Sequence, residues 1–234
     1  MVWQDTRRRT TISWPVAPAF LVGLLLLSLV LVGLIQAGLF VYAYQRIGIG
    51  PAWLLGLLAL SMLGSAVNLP VARLPAETVR TARLVTVFGV AYLLPEVEER
   101  PGTVVAVNLG GAIMPATLAG YLIVHNGLGW RALVAVAIVS GLVHRLARPI
   151  PGLGIAVPAL VPALIAAGVG LLIAPAAAPA LAYVAGVLGT LVGADILNLR
   201  RVRALGAPVV SIGGAGTFDG IYLTGVIAVL IASL

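Results

Sequence analysis

The chain has 234 residues, 61% of them hydrophobic and 9% charged, with a mean hydropathy of +1.14. So little polar surface excludes a soluble globular domain, and the absence of cysteine excludes disulfides and thiolate metal sites. The net charge of +7 comes from arginine alone; these side chains are spread through short connections, which fits orientation in a membrane better than nucleic-acid binding.

A helix rising ~1.5 Å per residue needs about 20 apolar residues to cross a hydrocarbon core of ~30 Å. Seven segments qualify in chain order: 17–44, 51–69, 108–125, 128–146, 153–174, 178–199 and 215–234. The first is long enough to tilt or protrude. No secretory cleavage site is evident among spans that follow one another so closely. Alternate connections collect Arg7–Arg9, then Arg73, Arg80, Arg83 and Arg100, then Arg145 and Arg148, then Arg200, Arg201 and Arg203. The opposite side holds only Arg46 and Arg131. Positive charge stays cytoplasmic, so the expected topology is N terminus inside and C terminus outside. The composition, rich in Ala, Gly, Val, Leu and Arg, fits a GC-rich bacterial or archaeal genome, so the missing lysine carries no functional weight; the expected location is the prokaryotic inner membrane.

One connection, about 71–107, is too long for a turn and too mixed for a span. Residues 84–93 are rich in β-branched and aromatic side chains, and after the acidic stretch Glu96–Arg100 and Pro101-Gly102 comes Thr103–Val107. Two such runs around a Pro-Gly turn predict a cytoplasmic β-hairpin between spans two and three. The expected fold is therefore an all-α polytopic membrane protein of about seven transmembrane helices. It forms a single membrane domain over 1–234 with one hairpin insertion.

Only two acidic residues, Asp195 and Asp219, fall inside the spans. A carboxylate in hydrocarbon costs a few kcal/mol or more, so each is a candidate functional residue. Asp195 lies five residues before Arg200, roughly 7 Å inside the cytoplasmic boundary, and Asp219 roughly 8 Å inside it by the same count. On consecutive antiparallel helices the two carboxylates fall at one level. Two carboxylates a few Å apart do not both ionise; they share a proton, and one can activate a water while the other donates to a carbonyl oxygen. The same shared proton suits a proton-coupled carrier. A third reading is structural, each aspartate capping a broken helix or pairing with an arginine in a non-catalytic scaffold.

The neighbourhood supplies further candidates. Gly213-Gly214-Ala215-Gly216-Thr217-Phe218-Asp219-Gly220 is dense in glycine, which admits unusual backbone and close approach. The preceding Ala207–Ile212 is extended in character and offers a strand edge to an unfolded peptide. Gly189, Gly193 and Ala194 make a small-residue face for tight packing. Asn198, Gly214, Gly216 and Thr217 are candidates to bind substrate or orient water. Asn68 ends span two and Asn108 opens span three; amides beside helix breakers are how carriers build solute sites, although an asparagine at a helix end is commonly a cap. Gln36, Thr190 and Thr224 are expected to hydrogen-bond between helices, and the tryptophans to anchor span ends. His125 and His144 fall at opposite membrane edges, so no metal site and no cofactor is read.

Gly193–Leu199 together with Gly213–Gly220, and with Gly64–Pro70 and Asn108–Pro115, resembles the prokaryotic membrane family of domain of unknown function 1614 over nearly the whole chain. That resemblance implies no activity. A weaker one is to the presenilin, signal-peptide-peptidase and prepilin-peptidase group, which places one aspartate on each of two neighbouring spans. It implies a catalytic role for Asp195 and Asp219. The group's Gly-x-Gly-Asp is here stretched by Thr217 and Phe218, and Pro158-Ala159-Leu160 precedes both aspartates instead of following them. The expected partners are the lipid bilayer and either a transmembrane peptide or a small solute. Nucleic acid is excluded, and the sequence carries no statement of oligomeric state.

Overall fold

The computed structural model describes residues 18–75, 77–87, 90–100, 102–150, 154–158, 160–203, 209–214 and 220–234. The chain divides after Phe40 into two units. The first holds most of helix α1 (Pro18–Arg46), whose Leu25–Arg46 stretch is long and apolar enough to cross a membrane. The second holds everything from Val41 onward.

In the second unit, proline punctuates the helices. Pro51 opens α2 (Pro51–Ser65), and Pro115, Pro162 and Pro179 sit in the first turns of α3 (Met114–His125), α5 (Val161–Ile173) and α6 (Ala178–Thr190). There the missing N–H has no intrahelical partner to lose. Helix α4 (Gly129–Leu146) follows α3 after a short turn. Beyond Thr190 the α6 helix widens into a π-helical turn (Leu191–Asp195), tightens into a 3-10 turn (Ile196–Asn198) and ends as α7 (Leu199–Arg203). Helix α8 (Gly220–Ala232) is the last. Gly129–Leu146 and Pro175–Arg201 are also long and apolar enough to span. Ala52–Ser65, Leu109–His125, Val161–Ile173 and Gly220–Ala232 are shorter apolar helices.

Helices α2 to α6 and α8 fall within the expected segments, α1 runs two residues past 17–44 and α7 extends beyond 178–199. Among the described residues three helices are long and apolar enough to span, and two segments differ at their ends. The first part of segment 153–174 is not helical, because β5 (Arg148–Ile150) folds back on β6 (Gly154–Ala156) before α5 begins. Segment 51–69 stops being helical at Ser65, and Asn68 begins a strand.

The long connection between α2 and α3 is an antiparallel ladder, but its register differs from the expected one. β1 (Asn68–Leu74) pairs with β4 (Thr103–Asn108), and β2 (Glu77–Val87) pairs with β3 (Val90–Arg100). The run 84–93, expected as one strand, instead pairs with itself, Leu84 opposite Leu93 and Val87 opposite Val90. Pro101-Gly102 falls between β3 and β4, not at the tip. The physical reason is that β-branched and aromatic residues favour strand on both sides of a turn, so the run's composition hides the reversal between Val87 and Val90. β4 also accepts β7 (Val209–Ile212) on its other edge, in parallel, giving the order β1-β4-β7.

Helix α6 occupies the centre, packed by α3, α4, α5 and α8, and nearly all of its side chains are buried. Its partners come close because the contacts are glycine. A Cβ on Gly189 would lie 2.6 Å from Val139 Cγ1, and one on Gly193 would lie 2.5 Å from the Ser140 carbonyl oxygen. Without a hydrophobic drive in lipid, such close van der Waals contact is what holds helices together. The outward faces carry Leu133, Leu172 and Val124 at 75%, 84% and 82% exposure, while Asn108 and Asn198 are buried at 1% and 0%. Large apolar side chains outside and amides inside are the distribution of a protein in lipid. The protein is membrane-embedded. Gln36, expected to bond between helices, is exposed. Thr190 is buried, but its hydroxyl has no partner among the described residues.

Candidate functional site

Asp195 closes the π-helical turn at the end of α6 and is half-buried. Its Oδ2 accepts a hydrogen bond of 2.7 Å from the backbone N–H of Gly213, the residue that follows β7. Gly213 has φ +70°, in the left-handed region, where a side chain is strained. Space makes the same demand, since a Cβ there would lie 2.6 Å from Ala112 Cβ and 2.8 Å from the Ala112 nitrogen. Gly213 is thus wedged between the Asp195 carboxylate and a second π-helical turn, Leu109–Ile113, which leads into α3.

That second turn is fixed by amides. Asn68 and Asn108 are register partners across β1 and β4. Asn108 Oδ1 accepts from Gly111 N at 2.7 Å, and its Nδ2 donates to the Ser65 carbonyl at 2.7 Å and to Asn68 Oδ1 at 3.0 Å. Ser211 Oγ donates to the same Asn68 oxygen. Ser61 Oγ donates to the Gly110 carbonyl at 2.8 Å, and Leu109 N donates to the Val67 carbonyl at 2.9 Å. The end of α2, the start of α3 and the end of β7 are thereby clipped together at one point. Asn108 acts as a helix cap there, the ordinary use of an asparagine in that position.

Asn198 has a different set of partners. Its Nδ2 donates to the carbonyls of Gly193 and Ala194 at 2.9 and 3.0 Å, and its Oδ1 accepts from Arg201 at 3.1 Å. A π-turn frees carbonyls from the regular ladder, and this buried amide takes them up. Of the expected site residues, the structure gathers Asp195, Gly214, Asn68 and Asn108 around the Gly213 wedge, with Gly214 directly beside Ser211 and Asn68. Asn198 holds the turn that carries Asp195. Gly216, Thr217 and Asp219 lie outside the described residues. Ser211, Ser61 and the close-packed pair Gly64 and Gly110 were not singled out as site residues. Gly110 directly follows Asn108-Leu109 and Gly64 lies four residues before Asn68, but nothing near Ser61 or Ser211 in the sequence marks them.

His125 stacks on Tyr121 with ring centroids 5.1 Å apart. Among the described residues no three potential metal ligands come together. The model of the family described as a protein of unknown function (DUF1614) matches residues 62–231. The chain belongs to that family. The match takes in every hydrogen bond of the clip except its Ser61 anchor, together with the Asp195–Gly213 contact. No curated protein and no solved structure matches the chain.

Proposed function

We propose that this family member is an intramembrane aspartyl-protease-like hydrolase whose catalytic pair is Asp195 and Asp219. It crosses a prokaryotic inner membrane seven times, N terminus inside, with the α2–α3 ladder on the cytoplasmic side. The observation that carries the reading is the 2.7 Å bond from Gly213 N to Asp195. It fixes the start of the glycine-rich segment at one carboxylate, six residues before the other. Gly186 packs on Thr224 and Ala228, and Gly225 packs on Val187 and Tyr183. With α6 and α8 antiparallel, that register supports Asp219 falling level with the last turns of α6.

In this reading one oxygen of Asp195 is held by an amide, which orients the other. The ionised aspartate takes a proton from water as its oxygen attacks the peptide carbonyl, and the protonated aspartate gives its proton to the carbonyl oxygen. Collapse of the resulting diol returns protons and releases the amine. β7 is an edge strand beside Asp195, which suits an extended substrate segment. The carrier reading draws less support, because the Asn108 amide is committed to backbone and to Asn68 Oδ1, which also accepts from Ser211. One observation favours a second reading: a backbone amide on Asp195 is also what a non-catalytic scaffold would use.

Cleavage separates the two. In nanodiscs, with a library of single-span proteins as substrate, Asp195→Asn and Asp219→Asn are each expected to lower cleavage at least ~100-fold while the fold is retained. Cleavage that survives in both variants, or no cleavage by the unaltered protein, leaves the scaffold.

A further inference from the structure

Among the described residues the outer part of the α2–α3 connection packs substantially only on itself. β2 and β3 pair along their full lengths, Glu77 opposite Arg100 to Val87 opposite Val90. Among the described residues no helix packs substantially against either strand. A lone two-stranded ribbon is marginal in water, and the sequence of this one divides sharply. The half nearer the helices carries Glu77, Arg80, Arg83, Glu96, Glu98, Glu99 and Arg100. The tip half, 84–94, carries no charge at all.

Register puts that apolar character on both faces. Alternate residues of a strand lie on opposite faces, so Leu84, Leu93, Thr86 and Ala91 share one face, and Val85, Tyr92, Val87 and Val90 share the other. A surface to be docked on a globular partner needs one apolar face and leaves the other polar. A ribbon apolar on both faces needs surroundings that cover it from both sides. The body to which it is tethered already lies in a medium that does so.

We propose that the β2–β3 ribbon folds back onto the bilayer holding the helices, and that its apolar end, 84–87 paired with 90–93, inserts there as a second, interfacial membrane anchor. The reach is sufficient. β1 and β4 lift the base by at most about 23 Å, and eleven paired residues extend about 36 Å at ~3.3 Å each. β2–β3 is a sheet separate from β1-β4-β7, so no continuous ladder fixes the angle between them. Depth is limited by the backbone, since the two open edges of the ribbon need hydrogen-bond partners that hydrocarbon lacks. The tip therefore rests ~5–10 Å deep, where headgroups and water reach it. The charges of the near half almost cancel, so the insertion does not depend on anionic lipid.

Because the chain has no cysteine, a nitroxide on Val90→Cys reports the tip alone. In phosphatidylcholine nanodiscs the label is expected to be more accessible to oxygen than to a water-soluble nickel chelate, by several-fold, with and without added anionic lipid. A label on Glu98→Cys is expected to show the reverse order. Val87→Cys repeats the measurement if Val90→Cys fails to fold. A tip open to the nickel chelate overturns the proposal. So does a tip shielded from both reagents with spin–spin broadening that disappears on dilution with unlabelled protein, which assigns the ribbon to a second copy.

Discussion

Gly110→Ala tests the closeness of α2 and α3. A Cβ at position 110 would lie 2.8 Å from the Gly64 carbonyl carbon, and closer still to the Ser61 oxygen and Ser65 nitrogen. All three obstacles are backbone, so no rotamer change relieves them; α2 must move away from the π-turn. Overpacking of this kind costs roughly 1–3 kcal/mol. The displacement also breaks the 2.8 Å bond from Ser61 Oγ to the Gly110 carbonyl, leaving buried polar groups unpaired at about 1–3 kcal/mol more. A total near 3–4 kcal/mol follows. Gly141→Ala is the control: it is a helical glycine with nothing within 4 Å of an added Cβ, so it is expected to stabilise by about 0.5–1 kcal/mol. Unfolding of purified protein in mixed micelles against increasing denaturing detergent measures both. If Gly110→Ala unfolds with the unaltered protein or with Gly141→Ala, the tight α2–α3 contact is refuted.

Two further substitutions follow from buried polar groups. Asn198→Ala removes the donor to the Gly193 and Ala194 carbonyls and is expected to cost about 2–3 kcal/mol in the same assay; Asn198→Ala at wild-type stability would mean those carbonyls have other partners. Tyr44 and Tyr222 share a 2.6 Å hydroxyl–hydroxyl bond in the core, so each change to Phe is expected to destabilise by about 1 kcal/mol and the double change by less than the sum. Tyr183→Phe, which deletes a buried hydroxyl with no hydrogen-bond partner among the described residues, is expected to be neutral or stabilising. Additive losses for Tyr44 and Tyr222 would deny the bond.

Helix position was legible because hydrophobicity integrates over twenty residues, and an error of a few positions hardly changes the sum. Strand register was not, because it hangs on single residues. The reversal between Val87 and Val90 is hidden by apolar neighbours on both sides, whereas Pro101-Gly102 advertises a turn and sits between two strands instead. Asn68 and Asn108 were visible as amides at helix ends, but a sequence does not say whether an amide faces a ligand or a cap. Their bonds to each other answer that. The two π-turns were invisible, since nothing in Leu109–Ile113 or Leu191–Asp195 marks a widened helix. The link between Asp195 and Gly213 was hidden for another reason: backbone N–H groups have no letter of their own.

The parallel pairing of β4 with β7 joins stretches of chain about a hundred residues apart. A ribosome feeding this protein into a membrane delivers β4 early, and its mate emerges only after four more helices have been threaded. Loop closure over that length is slow. Until then the wedge glycine has nowhere to lodge, and the Asp195 carboxylate lacks its amide. Nascent chains stalled before Val209 therefore have a bilayer-inserted body with an unassembled centre, which closes only when β7 takes its place beside β4.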